Sequence, residues 1–112
     1  MEYNQKGILR VAAISPTICL ADPTSNTLHI CKSIREAYDA GASIIALPEL
    51  CITGYSCGDL FHQALLIESA NEELIKIAEA SKNINAAIVV GLPVRFRGRL
   101  YNCAAVLCKG SI

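Results

Sequence analysis

Residues 44–61 read IIALPELCITGYSCGDLF, and the passage from their first four side chains to Glu49 decides the fold. Ile44, Ile45, Ala46 and Leu47 form an unbroken apolar run, the pattern of a parallel strand buried on both faces. Pro48 ends the run because it has no N–H to give to a ladder. A carboxylate follows at once. A charge beside such a core is costly unless it is paired, hydrogen-bonded or protonated. In open α/β sheets, ligands gather beyond the carboxyl ends of the parallel strands, and Glu49 stands at such an end. Half shielded by Leu47, Leu50 and Ile52, it would suit general-base work. The structural alternative is an acid that caps the loop or meets a buried arginine.

The flanking sequence supplies the other elements. Residues 8–14 (ILRVAAI) read as a buried strand that stops at Ser15-Pro16. Asp22-Pro23 and Thr24 are helix-start residues. From there Ile30, Ile34, Ala37, Tyr38 and Gly41 recur three or four apart as a helical stripe, and Gly41 ends the helix. A second helical region runs from about Leu60 to Ser81, with Ile67, Ala70, Leu74, Ile77 and Ala78 on one face. Ala87–Leu92 (AIVVGL) is a third buried strand. RFRGR at 95–99 makes a charged turn, and Leu100–Cys108 returns antiparallel. The predicted order is β-α-β-α-β-β, an α/β layer.

Composition narrows the function. Of 112 residues, 53% are hydrophobic and 18% charged, so the chain folds rather than staying disordered. Ten basic and ten acidic residues cancel, leaving no electrostatic footprint for nucleic acid or a membrane surface. No apolar run approaches the length of a transmembrane helix, and the polar start MEYNQKGILR is no signal peptide. A soluble, cytoplasmic protein is expected. The cysteines at 19, 31, 51, 57, 103 and 108 contain no CxxC pair, so neither a zinc site nor a disulfide framework is predicted, and they read as reduced apolar fillers. His29 and His62 have no acid at a telling spacing and read as surface or edge histidines.

The segment ALPELCITGYSCGDLF resembles the glutamate motif of the nitrilase (carbon–nitrogen hydrolase) superfamily. Pro48-Glu49-Leu50 and Thr53-Gly54-Tyr55 are shared by many amidases of that kind. Gly58-Asp59-Leu60-Phe61 and Leu100-Tyr101-Asn102-Cys103-Ala104-Ala105 are similar more narrowly to the N-terminal glutaminase domains of glutamine-dependent NAD+ synthetases. The element order matches over essentially the whole chain. The resemblance implies half of a nitrilase-type α-β-β-α sandwich and a Glu-Lys-Cys triad that hydrolyses glutamine. In it a cysteine attacks the amide, a glutamate acts as general base and a lysine stabilises the oxyanion. Glu49 matches the base, and Tyr55 is expected to line the pocket beside it.

The family's lysine and nucleophilic cysteine fall beyond Lys109-Gly110-Ser111-Ile112. Residues 1–112 are therefore expected to be an incomplete glutaminase domain, inactive alone. Lys109 reads as a solvated turn lysine. Cys51 and Cys57 read as inert loop thiols, although an extended loop would point Cys51 and Glu49 to the same side. Cys103 and Cys108, five apart on a strand, face opposite ways. The resemblance further implies a C-terminal synthetase domain as partner, using ATP and Mg2+ to amidate deamido-NAD+ with the ammonia. A homo-oligomer is expected, and an open, apolar sheet would drive self-association. The competing readings are a stand-alone amidase or carbamoylase of the superfamily, and a non-catalytic α/β binding module. No GxGxxG or GxxxxGK[ST] loop supports a phosphate site for the latter.

Overall fold

The computed structural model describes residues 7–112. The described strands and helices follow the predicted order: β1 (Val11–Ala13), α1 (Pro23–Asp39), β2 (Ile44–Ala46), a 3₁₀ turn (Gly58–His62), α2 (Ala64–Ala80), β3 (Ala87–Phe96) and β4 (Arg99–Leu107). The strands form one sheet in the order β1-β2-β3-β4. The first three pair in parallel, and β4 returns antiparallel to β3.

Local chemistry sets the element ends. The Asp22 side chain accepts a 3.2 Å bond from the Ser25 amide, and Pro23 takes the first helical position, where its missing N–H costs nothing. Gly41, at φ +95, turns the chain out of α1 toward β2. The charged turn tightens to Arg97-Gly98, both at positive φ, so β3 runs four residues longer than predicted, β4 begins and ends one residue earlier, and Phe96 pairs with Arg99. Pro93 does not break β3. Ala87 donates to Ser43 and Gly91 accepts from Ile52, so the odd-numbered residues address the β2 side. The Pro93 nitrogen therefore faces a stretch past Ile52 where the ladder has already ended.

Both helices pack on one face of the sheet. Ile45, Ile88, Val90, Leu92 and Leu107 are fully buried there against Ile30, Ile34, Ala70 and Ile77. The opposite face is uncovered, and this corrects the expectation that β1 and β2 are buried on both faces. Val11, Ala13, Ile44 and Ala46 are exposed. Register places Val11 beside Ile44, and Ala13, Ala46, Val89 and Val106 in one row across all four strands. The continuous apolar run records a strand that could be covered twice; within this chain it is covered once.

Candidate active site

Beyond Ala46 the backbone stays beside β3 for one more step, with the Leu47 amide donating to Val89 O at 2.9 Å. It then leaves the sheet. Leu50 takes φ +51, a left-handed conformation costly for a side chain with a Cβ. The Leu50 carbonyl accepts from the Thr53 amide at 3.2 Å and the Gly54 amide at 2.7 Å, which hold the turn in place. Thr53 is buried, and its hydroxyl donates to Gly54 O at 3.0 Å.

This turn separates neighbouring side chains. Cys51 points inward, buried, with its thiol 3.7 Å from Gly91 O. Burial pushes that thiol above its ordinary value of 9.0, against the weaker pull of the backbone hydrogen bonds. Glu49 points outward and is exposed. The expected shielding is absent, because Leu47 and Ile52 are buried while the turn at Leu50 carries the carboxylate to the rim of the uncovered face. The carboxylate is nonetheless fixed: Asn102 Nδ2 donates to Glu49 Oε1. Asn102 belongs to the β4 set that alternates with Cys103, Ala105 and Leu107, and so faces away from the helices.

Two clefts flank Glu49. One, of about 400 Å³, is walled by Ile18, Leu20, Pro48, Cys51 and Tyr55. The other, of about 250 Å³, opens over the sheet between Glu49, Gly91, Asn102 and Ala104. Tyr55 lines the larger cleft together with Glu49, and the residue is 75% exposed. The outer wall of the larger cleft is held by Asn26, a residue that sequence reasoning did not single out. Asn26 is fully buried; its amide donates to Cys19 O at 2.7 Å and Ile52 O at 2.8 Å, and its oxygen accepts from Cys19 N at 2.6 Å. The Ala21 amide adds a 2.8 Å bond to Thr53 O.

Among the remaining sequence candidates, Cys103 borders the smaller cleft, while Cys57, Lys109 and His29 line neither. Cys57 is buried, its thiol directed at Thr53 O and Gly54 O. Lys109 is exposed in the Cys108–Ser111 turn, beside α2. His29 is bound through Nδ1 to Thr17 O at 2.9 Å. Among the described residues no three His, Cys, Asp or Glu side chains gather into a group that could hold a metal ion. None of the described helices is long and apolar enough to cross a membrane. Asn102 was visible in the LYNCAA motif, but its role depends on a strand register that brings it to Glu49 across 53 positions.

Residues 10–111 match the carbon-nitrogen hydrolase family, and the chain belongs to it. Within that family it is similar to glutamine-dependent NAD(+) synthetases. That of Mycobacterium leprae is 34% identical over 110 residues, which cover 98% of this chain and 16% of the relative. The crystal structure of the Cytophaga hutchinsonii glutamine-dependent NAD(+) synthetase superposes with a TM-score of 0.85 at 35% identity, over 92% of this chain and 17% of that one. An amidase from Nesterenkonia shares the fold, with a TM-score of 0.74 at 24% identity over 92% of this chain and 39% of its own. The chain thus spans about a sixth of the synthetases it resembles.

Proposed function

We propose that this chain carries the general base of a glutamine-hydrolysing site in a glutamine-dependent NAD+ synthetase, and that the base is Glu49. The observation that supports it is the Asn102 bond to Oε1, which fixes the carboxylate at the carboxyl end of the parallel strands and leaves Oε2 open to accept a proton. The lysine and cysteine of the triad would come from further polypeptide laid against the uncovered face.

The reaction then runs as follows. The thiol sulfur bonds to the side-chain amide carbon of glutamine while Oε2 takes the thiol proton. The lysine faces the oxyanion. Glu49 returns that proton to the departing nitrogen, the C–N bond breaks, and ammonia leaves a γ-glutamyl thioester. Water, deprotonated by the same oxygen, cleaves the thioester to glutamate and regenerates the thiol. Tyr55 would border the bound amide. The ammonia would be consumed by a synthetase domain, a carbon–nitrogen ligase that amidates deamido-NAD+. That domain would hold the ATP and Mg2+. A cytoplasmic homo-oligomer is the expected setting.

The test is a chimera in which residues 10–111 replace the matching segment of the Mycobacterium leprae synthetase. Glutamate release from glutamine is expected, with a loss of about 10²- to 10⁴-fold on Glu49→Gln. An active chimera indifferent to Glu49→Gln would refute the assignment.

A further inference from the structure

The β2–β3 ladder is interrupted where it carries Glu49. Leu47 N donates to Val89 O, and the next bond to β3 is Ile52 N to Gly91 O at 3.3 Å. In an unbroken parallel pair, residue 49 would donate to residue 91. Three extra residues are therefore inserted against one regular step of β3, and Glu49 rides on the insertion.

The insertion rests on Gly91. A Cβ at this position would lie 2.7 Å from Pro48 O and 3.0 Å from the Glu49 carbonyl carbon, and would press on the Leu50 amide nitrogen. All three are backbone atoms, which cannot rotate aside. Gly91 is not at positive φ, so what the position demands is the missing side chain rather than an unusual conformation. Its carbonyl also receives the Cys51 thiol contact. One strand away, Ala104 pairs with Gly91, and Asn102 lies two residues along the same face of β4.

We infer that Gly91 is a positioning residue for Glu49. The β3–β4 hairpin holds the acid at two points, the bare backbone of Gly91 beneath the turn and the Asn102 amide on the carboxylate. The inference deepens the general-base assignment and rests on it for its catalytic meaning. Its geometry is testable independently.

In the isotopically labelled chain, the Asn102 side-chain amide signals report contact with the carboxylate, and Glu49→Ala, which removes the acceptor, supplies their position when it is lost. Gly91→Ala is expected to move them to the Glu49→Ala position while α1 backbone amides stay unchanged. A folded Gly91→Ala chain with wild-type Asn102 signals overturns the inference. Should Gly91→Ala fold poorly, Leu50→Gly provides a second background, because glycine relaxes the left-handed turn. There the drop in urea midpoint caused by Gly91→Ala is expected to shrink by at least half; equal drops on both backgrounds overturn it. A chimera indifferent to Glu49→Gln would instead remove the catalytic assignment and leave the Asn102 result standing.

Discussion

Replacing Asn26 with alanine tests how the wall of the larger cleft is built. The substitution deletes three hydrogen bonds of a fully buried side chain and leaves half-buried Cys19 N and Cys19 O and buried Ile52 O with no side-chain partner. At a net value of about 1 kcal/mol each, the loss is about 3 kcal/mol, a large part of the roughly 5–15 kcal/mol that holds a domain of this size. With a urea dependence of about 1.5 kcal/mol per molar, the unfolding midpoint falls by about 2 M. Asn26→Asp makes the argument sharper. Its carboxylate can still accept from Cys19 N, but it points the remaining lone pairs at two carbonyl oxygens. That environment favours the protonated acid, so the folded-state pKa lies above the unfolded one. Stability conferred by such a group is present at low pH and lost as pH rises. Asn26→Asp is therefore expected to be less stable than Asn26→Ala at pH 7 and to recover toward it on acidification. An Asn26→Ala midpoint within a few tenths molar of wild type, or an Asn26→Asp deficit that ignores pH, refutes the three-bond account.

Alkylation of the native chain followed by peptide mass spectrometry should modify exposed Cys108 first and buried Cys51 only once denaturant is added; equal rates would contradict the inward turn of Cys51. Burial raises the Cys51 thiol, and burial together with the nearby Glu73 carboxylate raises that of Cys31. Unfolded thiols ionise first, so stability is expected to fall as pH climbs from about 9.0 through the higher folded values, and Cys51→Ala should flatten the decline. The uncovered face should make the chain self-associate in light scattering, and Ile44→Asp with Val106→Asp should suppress this. A wild-type chain that stays monodisperse at high concentration would count against it.

The order of elements was legible because each carries its own signal: the apolar strands, the period of the helical stripes, Asp22-Pro23 at one helix end and Gly41 at the other. The elbow at Pro48 was legible as well. Coverage was not. Ile44-Ile45-Ala46 is apolar at every position, and nothing in a run of this kind says whether the second face is covered by the same chain. Asn26 escaped notice because a polar residue near a helix start usually caps locally, whereas this one bonds to Ile52, 26 positions away. Gly91 carried a readable signal. An isolated glycine inside an apolar strand marks a close backbone approach, but not which segment makes that approach.

The exposure of Glu49 and the bareness of the sheet are one fact rather than two. The Leu50 turn lifts the carboxylate toward the side that α1 and α2 leave open, and Asn102, whose position in the β4 alternation turns it to that side, meets it there. Had the acid faced the helices, it would have needed a buried countercharge, and the described residues provide none beside it. Facing outward, it needs only one amide donor to be oriented. Its dehydration is then left to whatever packs on Val11, Ile44, Val89 and Val106. Under the proposed role, a base arranged in this way would be oriented before the site is closed. A layer packed on the bare face would exclude water, so the step that covers the sheet would also be the step that makes the carboxylate reactive.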